Sequence, residues 1–435
     1  MLKRKATAQM QKWVKTKEKK CLVVQGARQT GKTYAIEHFA KDNYEEILEI
    51  NFKETPSAEE IFAGDLTVNN MVMAMRFRFP DKQILPGRTL IFFDEIQECQ
   101  EAMTSLKFWA IDNRYDVIVS GSLLGIDYQR ASSYPVGYVD YLKMNGLDFE
   151  EFLWGVGVSG ELLCNLKEFL STKTMIPDAI HHQMMQYFRQ YVAIGGMPEV
   201  VQKYVDTGDY RSADQIQRSL LQGYQYDIAH YASPEEKVKA EKCYLSLARQ
   251  LLEKENHKFQ YKEIEHGARA QKYYSSIEWL LRADMIHVSK LVTDVRYDLD
   301  DYAREDFFRA YTTDMSLLLA MKDFSLKQHI VENTLSGNSK GGIYECAVAD
   351  ALHKSGYRLY FYKNETTRKE LDMIIQKDGQ VVPIEVKSGN TRANSLATMM
   401  KNKKDIPYAY KFVDGNIGVS EESIVTLPLY MVAFV

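Results

Sequence analysis

Residues Cys21 to Ala40, CLVVQGARQTGKTYAIEHFA, constrain this chain more than any other stretch. A short apolar run leads into Gly26 to Thr33, spaced G-x-x-x-x-G-K-T, and then into an amphipathic helical pattern. Strand, loop and helix thus follow in the order that a phosphate-cradling loop demands. In such a loop the segment Gly26, Ala27, Arg28, Gln29, Thr30, Gly31, Lys32, Thr33 and Tyr34 wraps the phosphates with backbone N–H groups and the positive end of a helix. Lys32 would reach the β and γ oxygens, and the Thr33 hydroxyl would bind Mg²⁺. ATP and Mg²⁺ are the expected cofactors.

TLIFFDEIQ supplies the complement. Leu90 to Phe93 read as a buried parallel strand ending in Asp94 and Glu95. Asp94 is expected to hold the Mg²⁺, and Glu95 to orient and deprotonate the attacking water. In YDVIVSGSLLG a third strand, Val117 to Val119, ends near Ser120 and Ser122. One of the two would sense a γ-phosphate, Ser120 being preferred, or would simply cap the next helix. Strands alternating with helices, with catalytic groups at the strands' carboxyl ends, describe a doubly wound α/β nucleotide-hydrolysing core.

With 435 residues the chain exceeds what one hydrophobic core serves, so several domains are expected. A net charge of −4 excludes a uniformly basic nucleic-acid glove and leaves local patches as the only route to such contacts. The five cysteines, Cys21, Cys99, Cys164, Cys243 and Cys346, are scattered without metal-ligand spacing and read as reduced structural thiols. No apolar run reaches the length of about 18 residues that spans a membrane, and no apolar segment follows the basic start, so the expected location is cytoplasmic. Leu2, Met10, Trp13 and Val14 among lysines read as an amphipathic helix leading into the first strand.

GARQTGKT, LIFFDEIQ and SGSLLG, followed by PVGYVDYLKMNGLDFEEFLWG and YVAIGGMPEVVQKYV, resemble the AAA-type prokaryotic ATPases that carry a C-terminal domain of unknown function, DUF4143. The resemblance covers essentially the whole chain, and DFEEFL followed by GGMPEVV is its most specific part. Members often have a basic residue after the glycine of PVG, a trans-acting finger. This chain has Tyr138 there, which leaves the finger unassigned with Arg130 as a candidate.

From Phe149 to about Ala232 apolar residues recur at helical spacing, broken at Gly195, Gly196 and Pro198. A helical lid that reports nucleotide state and helices that merely cover the sheet are equally compatible. Beyond it, a short helix at Tyr261 to Glu265 precedes a Gly267-Ala268 turn. A longer helix follows from Ala270 to Ala283, with Tyr274, Ile277, Leu280 and Leu281 as its apolar side, then a strand Met285 to Val292 and the hairpin-like TDVRYDLD. This is the outline of a winged helix. Arg269, Gln271, Lys272 and Ser275 begin the candidate recognition helix, whereas Asp294, Asp298, Asp300 and Asp301 make an acidic wing that argues against phosphate contact. DNA contact and a structural or protein-docking role both stay open.

ELDMIIQKDGQVVPIEVKSG reads as a hairpin about Asp378-Gly379, the strongest short-range signal for a two-residue turn. That register puts Lys377 opposite Gln380 and, further on, Asp372 opposite Glu385. Leu371, Met373, Ile375, Val382, Ile384 and Val386 would share one apolar face, leaving Asp372, Glu385 and Lys387 on the other. Two opposed carboxylates with β-carbons about 5 Å apart repel. A second Mg²⁺, or Mn²⁺, held by Asp372 and Glu385 would remove that cost, with Lys387 placed to position water or stabilise a phosphorane. The arrangement resembles the PD-(D/E)xK nuclease fold, whose preceding helix supplies another acid. IYECAVADALHKSGY provides that helix, with Glu345 in its first turn and Gly356 at its end. Arg392, Lys401, Lys403 and Lys404 could line a polyanion channel or be solvated surface.

The expected layout is a P-loop ATPase core over 1–150, a helical lid over 151–232, a winged-helix-like domain over 233–325 and a restriction-endonuclease-like α/β domain over 326–435. The leading expectation is an Mg-ATP-dependent ATPase coupled to a nuclease-like domain acting on nucleic acid, DNA before RNA. The runner-up is a regulatory ATPase whose last domains bind DNA or protein without cutting, and the third is a signalling scaffold with slow turnover. A homo-oligomer, a ring included, and a monomer are all compatible.

Overall fold

The computed structural model describes residues 2–17, 19–121, 135–253, 258–364, 369–389, 393–420 and 423–435. Ser122, Arg130 and Arg392 lie outside the described residues. Among the described residues no helix is long and apolar enough to cross a membrane. All five cysteines carry free thiols, and only Cys164 is exposed. The chain divides into two compact units.

The first unit holds Lys3–Asn145 with Arg282–Asp284. Its strands β1 (Cys21–Gln25), β2 (Glu46–Asn51), β3 (Thr89–Asp94), β4 (Asp116–Gly121) and β5 (Val139–Lys143) form a wholly parallel sheet in the order β2-β3-β4-β1-β5. Every residue of β3 is buried because both faces of the sheet are covered, which is why its sequence is apolar without alternation. Leu90 and Phe92 enter one core with Met10 and Trp13 of α1 (Lys5–Val14) and Ile36 and Phe39 of α2 (Lys32–Asn43). Ile91 and Phe93 enter another with Met71 and Met75 of α3 (Val68–Arg78) and Leu106 and Trp109 of α4 (Gln100–Asp112). Each such side chain contributes roughly 1.5–3 kcal/mol on burial. The order brings the carboxyl ends of β3, β4 and β1 side by side, where an open parallel sheet forms its binding crevice.

The second unit holds Gly146–Leu281 and Met285–Val435, with Leu2. It begins with helices α5 (Phe149–Gly155), α6 (Gly160–Thr172), α7 (Asp178–Ile194), α8 (Pro198–Thr207), α9 (Tyr210–Tyr231) and α10 (Lys237–Leu252). The DFEEFL segment is a capping box: the Asp148 carboxylate accepts from the Glu151 N–H at 2.9 Å, and the Glu151 carboxylate accepts from the Asp148 N–H at 3.1 Å. The GGMPEVV segment turns α7 into α8. Gly196 donates its N–H to both oxygens of buried Asp314, at 2.9 and 3.0 Å, and a β-carbon on Gly196 would lie 2.1 Å from the Leu147 carbonyl oxygen. Lys354 completes this knot, 2.6 Å from Asp314 and 2.8 Å from Asp350.

A 3-10 turn at Tyr261–Glu263 precedes α11 (Ala270–Arg282). Its inward side is Tyr273, Ser276, Ile277, Trp279 and Leu280, so Tyr273 and not the half-exposed Tyr274 faces the core. β6 (Ile286–Val292) pairs antiparallel with β7 (Ala303–Thr312), and helices α12 (Met315–Ala320), α13 (Phe324–Val331) and α14 (Gly337–Lys354) follow. Because α14 begins at Gly337, Glu345 lies in its middle rather than in its first turn. The remaining elements are β8 (Leu359–Lys363), β9 (Glu370–Lys377), β10 (Gln380–Lys387), α15 (Asn394–Asn402), β11 (Ala409–Val413), β12 (Gly418–Val419) and β13 (Ile424–Pro428). One mixed sheet orders them β12-β13-β11-β10-β9-β8-β6-β7. β6 runs parallel to β8, with Ser289 against Leu359 and Val292 against Tyr362, so the division expected at 325/326 runs through a single sheet.

Candidate functional site

The loop between β1 and α2 is shaped by close approach. Gly26 has φ +156° and its absent β-carbon would stand 2.1 Å from the Met144 carbonyl oxygen, while Gln29 (φ +61°) and Gly31 (φ +83°) adopt left-handed backbone. Arg4 secures the loop from outside, donating to the Thr30 carbonyl at 2.9 Å and the Asn145 carbonyl at 2.6 Å. The Thr30 hydroxyl bonds the Ala27 carbonyl at 3.0 Å. Lys32 is buried, and its amine donates to the carbonyls of Gly26 and Ala27, both at 2.9 Å. Burial lowers its pKa to about 8 against the opposing pull of Glu95 and Asp94. Phosphate oxygens are stronger acceptors than these two carbonyls. Tyr34 is exposed and Arg28 half-buried.

Asp94, at the end of β3, collects four donors. Its Oδ2 accepts from the Thr33 hydroxyl at 3.0 Å and the Asn51 amide at 3.2 Å; its Oδ1 accepts from the Glu95 N–H at 3.0 Å and from the Ser120 hydroxyl. Glu95 sits in the left-handed region at φ +51°, with its carboxylate accepting from the Gln97 amide. The structure thus brings Lys32, Thr33, Asp94, Glu95 and Ser120 to one end of one sheet. The hard oxygens of Thr33 and Asp94, one from the loop and one from the strand, fit Mg²⁺, and the glycine-shaped loop fits a polyphosphate. Mg²⁺ bound there would neutralise charge developing on the phosphate oxygens. Arg4, Asn51 and Gln97 had no motif to announce them. Tyr138, which stands at the position of the basic finger, lies under the Lys107 amine, 5.5 Å from its ring centroid.

The second cluster lies where β9, β10, β7 and α14 meet. Asp378 (φ +49°) and Gly379 (φ +74°) form the tight turn, and the ladder runs from Lys377/Gln380 to Met373/Ile384 in the expected register. The pair Asp372/Glu385 is not formed. Against β8, Ile374 pairs with Tyr360 and Leu371 with Tyr362, so two residues of β9 oppose one, and Asp372 and Met373 form a β-bulge. The bulge breaks the expected alternation: Leu371 shares a core with Ile374, Val381 and Leu396, not a face with Met373. It also re-aims Asp372, whose carboxylate accepts from the Val386 N–H at 2.8 Å.

Glu385 is 5% exposed; one of its oxygens lies 2.5 Å from the Lys387 amine, and Oε2 is buried with no hydrogen-bond partner. Burial, reinforced by Glu385 and then Glu345, raises the Asp372 pKa well above the carboxylate range. Burial also raises that of Glu385, against Lys387. For Lys387 burial acts downward, but Asp372 and Glu385 together raise it. Glu345 does not join the pair as a third free acid. It accepts from Arg309 at 2.5 Å and from the Tyr311 hydroxyl at 3.3 Å. Among the described residues no group of three or more His, Cys, Asp or Glu side chains is disposed to hold a metal ion. The orphaned Glu385 oxygen beside Asp372 nevertheless fits a small divalent cation, as two carboxylates suffice for Mg²⁺ when other oxygens complete the shell.

On the outer side of α11, Gln271, Lys272, Tyr274 and Ser275 are exposed, as is Arg269 before it; Lys272 pairs with Glu265. Two of the four wing acids are neutralised: Asp294 lies 2.6 Å from both Lys403 and Arg296, and Asp300 lies 2.6 Å from Arg358. Lys401 and Lys404 are exposed.

The first unit is a P-loop nucleotide-binding core. Residues 18–153 match the family model described as AAA domain. Residues 185–328 match a domain of unknown function, DUF8612, and residues 340–431 match another, DUF4143. The chain therefore carries an AAA-type P-loop ATPase domain followed by two regions without assigned function. DUF4143 covers the last region alone, and the segment read as winged helix falls under the DUF8612 model. Among curated proteins none matches the sequence. Among solved structures, the ORC1 protein of Aeropyrum pernix in complex with DNA is similar over 77% of this chain and 95% of its own, at 12% identity and TM-score 0.28. AMPPCP-bound DnaA from Aquifex aeolicus is similar over 63% and 85%, at 11% identity and TM-score 0.26. Drosophila ORC bound to DNA is similar over 75% and 93%, at 12% identity and TM-score 0.25.

Proposed function

We propose that this protein is an Mg-ATP hydrolase whose C-terminal sheet carries a metal-dependent, nuclease-type site of Asp372, Glu385 and Lys387 acting on nucleic acid, DNA in preference to RNA. Gly26 to Tyr34 hold the nucleotide, Thr33 and Asp94 the Mg²⁺, and Glu95 is the base toward the attacking water, with Ser120 beside the γ-phosphate. The exposed Arg269, Gln271, Lys272 and Ser275 on and before α11 supply contacts to the nucleic acid, which the paired wing acids oppose less than four bare ones would. A homo-oligomer is part of the reading.

The observation that carries the nuclease-type assignment is the buried, unpartnered Glu385 Oε2 beside Asp372, with Lys387 on the other Glu385 oxygen. A buried acceptor without a partner costs about 1–3 kcal/mol and calls for a proton or a cation. The test is Mg²⁺- or Mn²⁺-dependent cleavage of DNA and RNA of varied shape. Cleavage removed by Asp372→Ala and by Lys387→Ala supports the reading; ATP hydrolysis with no such cleavage sinks it.

A second reading, a regulatory ATPase that binds without cutting, is favoured by Arg309, which supplies positive charge to the cluster without any metal. Nucleic acid retained on filters equally by the wild type and by both variants would favour it.

A further inference from the structure

We infer that the C-terminal cluster takes one divalent cation, through Asp372 and Glu385 alone, because Arg309 is a built-in counter-ion that removes Glu345 from the ligand set and positions Asp372. This rests on the metal-site reading above.

Arg309 comes from β7, outside the segment matched to DUF4143, and its side chain is 3% exposed. Its Nη1 donates to Glu345 at 2.5 Å and to the Asp372 carbonyl at 2.9 Å, its Nη2 donates to Glu370 at 2.5 Å, and its guanidinium lies over the Phe361 ring at 4.6 Å. The rigid fork thus spans three acceptors on α14 and β9. The bond to the Asp372 carbonyl fixes the bulge that re-aims the Asp372 carboxylate. Glu345 is held by Arg309 and Tyr311, and breaking a buried pair of this kind would leave an uncompensated buried charge. The uncommitted oxygen belongs instead to Glu385.

Charge sets the number of ions. With all three acids ionised, as a bound cation requires, Glu345, Asp372 and Glu385 stand against Arg309 and Lys387, which leaves one net negative charge, while Glu370 has Lys363 at 3.0 Å as well. One divalent ion makes the cluster singly positive, a match for one phosphodiester. A second would leave three uncompensated charges in a buried site, where desolvation is most costly.

The test is Mn²⁺ titration of the nucleotide-free full-length protein by calorimetry and electron paramagnetic resonance. The expected difference between wild type and Asp372→Asn is one Mn²⁺ per chain, and Glu385→Gln removes the same ion. Glu345→Gln keeps it, whereas Arg309→Lys, which preserves charge but not the fork, weakens it by about 10–100-fold. If Glu345→Gln does not fold, the double variant Arg309→Gln/Glu345→Gln takes its place: one ion still bound, at the weakened affinity of Arg309→Lys, supports the inference, and no ion at saturating Mn²⁺ overturns it. Two ions removed by Asp372→Asn, or loss of the ion in folded Glu345→Gln, overturns the inference and leaves the metal reading standing. A wild type that binds no Mn²⁺ sensitive to Asp372→Asn overturns both.

Discussion

The Thr33 hydroxyl donates to Asp94 at 3.0 Å, so the first turn of the helix after the phosphate loop is latched to the strand that ends in the acidic pair. The Thr33 oxygen keeps its lone pairs while its proton is donated to Asp94, so the bond orients both groups toward one cation position. Asp94→Asn keeps the shape and weakens the ligand, and is expected to abolish Mg²⁺-dependent phosphate release. Glu95→Gln should leave nucleotide binding intact and slow turnover by about 10²–10⁴-fold, the usual worth of a general base. Unchanged turnover in Glu95→Gln would remove Glu95 from that role.

Gly26 tests the loop by sterics alone. A β-carbon there meets the Met144 carbonyl oxygen at 2.1 Å, and this neighbour is backbone that cannot rotate away. Gly26→Ala should therefore displace the loop, at a cost of about 1–3 kcal/mol. The accompanying loss of nucleotide binding is readable by fluorescent-nucleotide titration. Wild-type affinity in Gly26→Ala would mean that the loop does not bind in this shape.

Much of this was legible in the residues. The phosphate loop has a spacing that permits one local geometry, β3 has an apolar run too continuous for a half-exposed strand, and Asp378-Gly379 prescribed a register that holds as far as Met373/Ile384. The bulge one step further was not legible, because alternation shows which face a residue prefers but not where a ladder gains a residue. Arg309 was hidden by distance, 36 residues from Glu345 and 61 from Glu370. Its signal was an arginine between Phe308 and Ala310 in a strand, a charge that burial obliges to find a partner. The pairing of β6 with β8 left no mark, since parallel strands need no turn between them.

That pairing predicts how the chain can be cut. A fragment starting at 326 lacks β6 and β7 and exposes the β8 edge, with Tyr360 and Tyr362 unpaired on that side. It also lacks Arg309, which leaves Glu345 buried without its cation. It should be insoluble or unfolded, whereas a fragment starting at 146, which keeps all of the second unit after Leu2, should fold. Circular dichroism and analytical centrifugation decide between them, and a soluble, cooperatively folding 326–435 would refute the continuity of the sheet.

The Lys354 knot predicts a pH dependence. Burial raises the Asp350 pKa to about 7, more than the pull of Lys354 lowers it, and one of its oxygens has no hydrogen-bond partner. Its folded value lies above its unfolded one, so between about pH 4 and 7 the native state holds a proton that the unfolded chain has lost. That contribution is complete below the unfolded value and disappears as pH rises through about 7, with a slope of about 1.4 kcal/mol for each pH unit between the two values. Asp350→Asn keeps the neutral shape and leaves Lys354 paired with Asp314 at 2.6 Å. The variant should therefore lose the downward slope and unfold at higher denaturant than wild type at pH 8. Parallel profiles for the two proteins from pH 5 to 8, followed by the unfolding of the second unit, would show that Asp350 does not carry the proton.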